Sequence, residues 1–92
     1  MTPEDRNALY KKALVKWGSS LQICVLFEEC AELIRAVSRF LARDGSVDAV
    51  IEECADVSIM VEQIILMFNR EDEFEAVKEA KLQRLAEMLE GK

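Results

Sequence analysis

Glycine and proline are too scarce in this chain for a fold that depends on many tight turns. The 92 residues contain three glycines and one proline, whereas a β-sandwich or barrel needs turn signals about every 8–12 residues. Half of the residues are hydrophobic (51%) and a third are charged (33%), which is typical of a compact globular chain rather than a disordered one. A chain of this length has room for one small domain. We therefore predict a single all-α domain over residues 1–92.

Helix-capping and helix-stopping residues divide the chain into four segments. The first predicted helix begins at Pro3, capped by Thr2, and runs to about Trp17 before Gly18. The second is capped by Ser19 or Ser20 and ends near Arg43 before Gly45. The third is capped by Ser46 and runs to about Phe68, and the fourth runs from about Glu71 to Glu90. Short connections of this kind join helices that pack as antiparallel neighbours. The expected subunit is a four-helix bundle with an antiparallel hairpin of the second and third helices at its centre.

Apolar residues at helical spacing predict which faces meet the core. In the second helix they are Ile23, Phe27, Cys30, Ile34, Val37 and Leu41. The third helix is apolar nearly all round, with Ile59 and Leu66 opposite its main stripe, which is typical of a helix buried on every side. A four-helix monomer cannot easily enclose one of its own helices, so we expect a homo-oligomer, either a dimer or a tetramer. Alternatively, Ile59 and Leu66 pack beneath the fourth helix.

Composition excludes several classes of function. Histidine is absent, which removes Ser-His-Asp and Cys-His catalysis and histidine-bearing metal sites. The net charge of −6 argues against a nucleic-acid or anionic-membrane partner, and the apolar stretch 57–68 is too short to cross a bilayer. Cys24, Cys30 and Cys54 form no Cys-x-x-Cys motif and follow no secretory signal. We expect reduced thiols packed as small hydrophobes in a cytoplasmic protein.

Two acidic blocks stand out against this background. Glu28-Glu29-Cys30-Ala31-Glu32 recurs 24 residues later as Glu52-Glu53-Cys54-Ala55-Asp56. Each block places three carboxylates within about 100° of a helix circumference, where like charges repel one another. In an antiparallel hairpin the blocks face each other, and a divalent metal, Mg²⁺ or Mn²⁺, would neutralise such an all-oxygen site. The alternative is a solvated acidic face, with Glu32 paired to Arg35.

At these residues the chain resembles the MazG-like family of all-α nucleoside triphosphate pyrophosphohydrolases, in its short phage and bacterial form. The resemblance lies in Glu28-Glu29-x-x-Glu32 followed by Glu53-x-x-Asp56, with Trp17-Gly18, Gln22 and Lys81-Leu82-x-Arg84-Leu85 as weaker matches. It implies a Mg²⁺-dependent enzyme that cleaves the α–β phosphate bond of NTPs or dNTPs and releases pyrophosphate. It also implies the roles of the acids: Glu29, Glu32, Glu53 and Asp56 as metal ligands, with Glu28 and Glu52 as auxiliary acids.

The chemistry of a triphosphate suggests further roles. Glu28 is a free acid that can position or deprotonate the attacking water, and we expect it to be the catalytic residue. The candidate substrate-binding residues are Gln22, Trp17 as a base-stacking ring, and Lys78, Lys81 and Arg84 as phosphate contacts. The three cations could equally form surface ion pairs, and Trp17 could be a core residue. Two other functions stay open: a phosphoribosyl-ATP pyrophosphatase-like enzyme and a non-enzymatic helical interaction module.

Overall fold

The computed structural model describes residues 1–91, which form four α-helices and no strand. The helices are α1 (Pro3–Trp17), α2 (Ser19–Leu41), α3 (Val47–Phe68) and α4 (Glu71–Leu89). The predicted all-α fold is therefore confirmed at the level of helix number and order. None of the helices in the described part of the chain combines the length and the apolar character needed to cross a membrane.

The ends of α1 follow the predicted capping pattern. The Thr2 hydroxyl accepts a hydrogen bond from the Asp5 amide at 3.1 Å, and the Asp5 carboxylate accepts one from the Thr2 amide at 3.1 Å, which together form a capping box. Gly18 ends the helix with φ of +86°, a left-handed conformation that glycine adopts without steric cost. Gly18 is also the N-cap of α2, so Ser19 is already helical and neither Ser19 nor Ser20 caps that helix through its side chain.

The connection between α2 and α3 turns the chain back on itself within residues 42–46. α2 ends at Leu41, two residues before the predicted end, and Arg43 then adopts a left-handed φ of +69°. Gly45 is required for space, because a Cβ there would lie 2.8 Å from the Cβ of Arg39. Ser46 caps α3 as predicted, with its hydroxyl accepting from the Ala49 amide at 3.1 Å.

The main packing interface lies between α2 and α3. Gln22 of α2 and Met60 and Gln63 of α3 are buried, and Tyr10 of α1 is buried with them. At the other end of the hairpin, Phe40, Val47 and Val50 line one small cavity. α1 packs against both hairpin helices, whereas α4 contacts α3 only and is exposed from residue 75 onward. The fold is therefore a hairpin with one covering helix and one extended helix.

Much of the predicted core stripe of α2 does not reach the core of this chain, although Ile23 and Cys30 are partly buried. Phe27, Ile34 and Leu41 are 66%, 67% and 74% exposed, because α2 turns its Gln22–Glu29–Leu33 side toward α3 instead. The thiols were also placed wrongly: Cys24 and Cys54 are exposed, and Cys30 is partly buried. The three cysteines are free, as expected.

The two apolar residues expected on the far side of α3 are partly covered by the chain itself. Ile59 lines a cavity together with Leu9 and Tyr10 of α1, and it remains 44% exposed. Leu66 is half-buried and lines a cavity with Phe74 of α4. The alternative, in which both residues pack beneath the fourth helix, therefore agrees with the position of Leu66 and not with that of Ile59, which lies beside α1.

We predict that removing the cap of α3 weakens the hairpin. Ser46→Ala leaves the Ala49 amide without its side-chain acceptor and should lower the free energy of unfolding by about 1 kcal/mol. Ser20→Ala is the matched control, since Ser20 makes no capping hydrogen bond and should change stability by less than about 0.5 kcal/mol. Urea unfolding at one protein concentration measures both, and equal midpoints in the two variants would contradict the capping role.

Candidate functional site

Three carboxylates from the two acidic blocks converge between α2 and α3. One oxygen each from Glu29, Glu53 and Asp56 lie within 4.8 Å of one another. Glu29 and Glu53 are partly buried, and Asp56 is exposed. We call these three residues the acidic cluster. The two acidic blocks were predicted to face each other near the middle of the hairpin, and these three residues do so.

The helical geometry explains why these three acids meet. Glu53 and Asp56 are three residues apart on α3, so they lie one above the other on neighbouring turns of the same face. Glu29 belongs to the antiparallel helix that packs on that face, and its position is set by the turn at residues 42–46. Neighbouring positions in the same interface are apolar or uncharged, including Leu33, Val57 and Met60, all of which are partly or fully buried. The cluster is therefore fixed by hairpin packing.

The environment of Glu29 favours its neutral form. Desolvation raises the pKa of the Glu29 carboxyl above its ordinary value, and the negative charges of Asp56, Glu53 and Glu32 raise it further. The closeness of the Asp56 carboxyl group adds to the same rise in the pKa of Glu29.

The pKa of the Glu53 carboxyl group, on α3, is also raised. Its pKa is raised by desolvation and then by the charges of Glu32, Asp56 and Glu52. Its Oε2 atom is buried without a hydrogen-bond partner. Within residues 1–91 no lysine or arginine forms an ion pair with Glu29, Glu53 or Asp56. The described part of the chain thus holds mutually repelling carboxylates to which no basic side chain is paired.

The donor set suits a hard divalent cation. Oxygen ligands of Mg²⁺ lie at about 2.0–2.1 Å from the ion, so that opposite ligands are about 4.2 Å apart. Three carboxylate oxygens within 4.8 Å can approach this arrangement by small side-chain rotations. The orphaned Oε2 of Glu53 offers a lone pair that nothing in the described protein uses. A bound cation would give that oxygen a partner and would also reduce the repulsion among the three carboxylates.

The other predicted acids lie outside the acidic cluster. Glu28, Glu32 and Glu52 are exposed, and none belongs to the close group of three oxygens. Glu32 nevertheless acts on both partly buried acids, since its charge contributes to the raised pKa of Glu29 and of Glu53. The alternative pairing of Glu32 with Arg35 does not occur within residues 1–91.

The predicted substrate-binding residues are spread over the molecule. Gln22 is buried in the hairpin interface at 5% exposure, seven residues before Glu29. Trp17 is half-exposed at 51% and has the Lys16 ammonium 5.4 Å from its ring centre. Lys78, Lys81 and Arg84 are exposed on α4, and the Lys78 ammonium lies 5.9 Å from the Phe74 ring. The structure does not bring these cations into ion pairs with the acidic cluster.

Sequence reasoning missed a second polar group on α3. Glu62 accepts a hydrogen bond from the Tyr10 hydroxyl at 3.1 Å and pairs with the Arg6 guanidinium at 3.4 Å. Burial raises the pKa of Tyr10, and its hydrogen bond to Glu62 raises it further. The available signal was the presence of Glu62 and Gln63 in an apolar stretch, because polar groups there need partners.

Gln63 is the less satisfied of these two polar residues. Its amide nitrogen lies 3.8 Å from the Met60 sulfur, and its carbonyl oxygen is buried without a partner. Gln63 is 6% exposed, and Gln22 is similarly buried on the facing helix. Gln22 was a predicted substrate-binding residue, whereas no role was predicted for Gln63.

Compared with protein-family models, with curated proteins and with solved structures, the chain matches none of them.

We predict that neutralising Glu53 stabilises the metal-free protein. Glu53→Gln keeps the side-chain volume, removes a negative charge from the cluster and gives Asp56 and Glu29 a hydrogen-bond donor. The melting temperature measured in EDTA should rise. Glu75→Gln is the matched control, because Glu75 is exposed on α4 and should leave the melting temperature unchanged. A lower melting temperature for Glu53→Gln would mean that this carboxylate stabilises the fold.

Proposed function

We propose that the protein is a divalent-metal-dependent nucleoside triphosphate pyrophosphohydrolase, which cleaves NTPs or dNTPs to the monophosphate and pyrophosphate. The observation that carries the proposal is the acidic cluster, where three carboxylates meet within 4.8 Å and have no cationic partner in the described chain. The resemblance of Glu28-Glu29-x-x-Glu32 and Glu53-x-x-Asp56 to the MazG-like motif supports the choice of reaction.

The positions of the acids suggest which of them bind the metal and which act as auxiliary groups. Glu29, Glu53 and Asp56 hold the metal, Mg²⁺ or Mn²⁺, and Glu32 completes the set after a change of rotamer, since its charge already acts on Glu29 and Glu53. When bound, the ion neutralises charge on the phosphate oxygens. Glu52 is an auxiliary acid that adds negative potential next to Glu53.

Glu28 is the residue proposed to act on water. It neighbours Glu29 in sequence but is exposed and lies outside the close oxygen group, so it is free to accept a proton. A water oxygen forms a bond to phosphorus as Glu28 takes its proton, and the α–β bridging bond breaks to release pyrophosphate. The monophosphate is the second product, and no oxidation or reduction takes place.

Binding the nucleotide requires groups beyond the acids. Gln22 shares the hairpin interface with the cluster, two helical turns away, and we assign it to the nucleoside side of the substrate. Lys78, Lys81 and Arg84 are unpaired within residues 1–91 and are assigned to the phosphates. Trp17 is exposed enough to stack on a base. We further propose that the working form is a homo-oligomer.

We predict that millimolar Mg²⁺ or Mn²⁺ raises the melting temperature of the wild-type protein. At ten times its dissociation constant a ligand stabilises the native state by about 1.4 kcal/mol, which for a domain of this size is a rise of roughly 6–11 °C. Glu53→Gln should abolish this response, whereas Glu75→Gln should retain it. If neither metal changes the melting temperature of the wild-type protein, the result would favour a non-enzymatic helical interaction module over the proposed enzyme.

We also predict the products and the effect of Glu28→Gln. With Mg²⁺, the wild-type protein should release pyrophosphate from NTPs or dNTPs, and Glu28→Gln should reduce turnover by about 10²–10⁴-fold, as expected for a lost general base. The metal-induced rise in melting temperature should persist in this variant, because Glu28 is outside the cluster.

A panel of substrates distinguishes the proposed reaction from its alternatives. The panel should contain all NTPs and dNTPs and phosphoribosyl-ATP, and the products should be identified by phosphorus NMR. Inorganic phosphate as the first product would contradict α–β cleavage, and cleavage of phosphoribosyl-ATP alone would identify the related pyrophosphatase activity. Full turnover in Glu28→Gln would remove Glu28 from the mechanism.

A further inference from the structure

Two buried glutamines lie at the same level of the α2–α3 hairpin. Gln22 comes seven residues before Glu29 on α2, and Gln63 comes seven residues after Asp56 on α3. Seven residues are nearly two helical turns, so each glutamine is on the same face as its acid and about 10.5 Å from it along the helix axis. Because the two helices run in opposite directions, both steps lead toward the same end of the hairpin. We call Gln22 and Gln63 the amide pair.

The amide pair is buried and lacks hydrogen-bond partners. Gln22 is 5% exposed and Gln63 is 6% exposed. The Gln63 carbonyl oxygen has no partner, and its amide nitrogen has only the Met60 sulfur, at 3.8 Å. Within residues 1–91 the Gln22 side chain makes no hydrogen bond. Buried amides without partners destabilise a folded protein, so a ligand that supplies those partners is bound more tightly for doing so.

The hairpin interface carries such amides on one side of the acidic cluster only. The equivalent step toward the turn, seven residues after Glu29 and seven before Asp56, leads to Ala36 and Ala49. Their methyl groups neither donate nor accept a hydrogen bond. The half-exposed ring of Trp17 precedes α2 at the same end as the amide pair. A nucleotide whose phosphates are held at the acidic cluster therefore meets groups suited to its base toward the amide pair rather than toward the turn.

The free groups of the amide pair are complementary to one kind of base edge. Gln22 offers a carbonyl oxygen and an amide nitrogen, and Gln63 adds a second carbonyl oxygen, because its nitrogen is occupied by Met60. The pair thus presents two acceptor groups and one donor group. The Watson–Crick edge of guanine has the matching set, with N1–H and the 2-amino group as donors and O6 as the acceptor. Adenine, cytosine, uracil and thymine each have a single donor group on that edge.

We propose that the amide pair recognises guanine, so that the preferred substrates are GTP and dGTP. The two carbonyl oxygens accept hydrogen bonds from N1–H and the 2-amino group, and the Gln22 amide donates one to O6. Gln22 belongs to the first turn of α2, and helix ends open at a low free-energy cost, which allows the base to enter. This inference rests on the proposed function, because the acidic cluster must hold the phosphates.

Comparison of GTP with ITP tests the amide pair, because the base of ITP differs from guanine only in lacking the 2-amino group. With Mg²⁺, the wild-type kcat/KM for pyrophosphate release should be about 5- to 100-fold higher for GTP, as expected when a buried hydrogen bond is left unmade with ITP. Gln63→Leu should lower the value for GTP to that for ITP and leave ITP unchanged. Gln83→Leu is the matched control, since Gln83 is exposed on α4, and it should keep the preference. Equal values for GTP and ITP in the wild type, or a preference that survives in Gln63→Leu, overturn the proposal.

Binding of analogues that cannot be cleaved separates the base site from the reaction. In calorimetric titrations of the wild-type protein with Mg²⁺, the α,β-methylene analogue of GTP should bind more tightly than that of ITP by a similar factor. This comparison needs no variant, so it decides the question if Gln63→Leu does not fold. Selective binding without pyrophosphate release from GTP would contradict the proposed reaction and keep the base site. Pyrophosphate release at equal rates from all nucleotides would keep the reaction and overturn the base site, and a failure to bind either analogue would overturn both.

Discussion

The packing of α2 against α3 is the interaction on which the rest of this structure depends. It supplies the small buried interior, with Gln22, Met60 and Gln63 inside and Tyr10 of α1 closing one side. It also brings together two acidic blocks that are 24 residues apart in sequence. The turn at residues 42–46 sets the register of α2 against α3. Ser46 caps the first turn of α3, and Gly45 lies too close to Arg39 to carry a side chain.

An interface of this kind is normally filled with apolar side chains, and here part of it is given to carboxylates. Glu29 and Glu53 repel each other and Asp56, and the pKa of both glutamates is raised by desolvation and by these charges. Partly buried charges without partners destabilise a fold. A site that binds a cation gains from the same feature, because the repulsion that weakens the empty protein is relieved on binding. Stability given up at a functional site in this way is common.

Helix α2 has three faces of different chemical character. One side meets α3 through Gln22 and Leu33, and a second carries the acidic residues. A third is apolar and includes Phe27, Ile34 and Leu41, which are exposed in this chain. The separation of these surfaces follows from the helical repeat, because the apolar residues recur at intervals of seven while the acids occupy the positions between.

The sequence by itself determined the helices and the identity of the acidic residues. Capping by Thr2 and Ser46 is a local signal, and it located the starts of α1 and α3. The end of α2 was placed two residues too late, because the break at Arg43 depends on a backbone conformation that composition does not encode.

Tertiary structure decided which face of each helix is buried. The hydrophobic pattern of α2 predicted a core at Phe27, Ile34 and Leu41, yet these residues are exposed in the chain, because a pattern shows that a face needs covering but not which molecule covers it. It likewise decided that Glu29, Glu53 and Asp56 form the close group while Glu32 lies outside it, and that Tyr10 reaches Glu62. Such contacts depend on the register and crossing of two helices to within a few ångströms, which helical periodicity in one segment cannot specify.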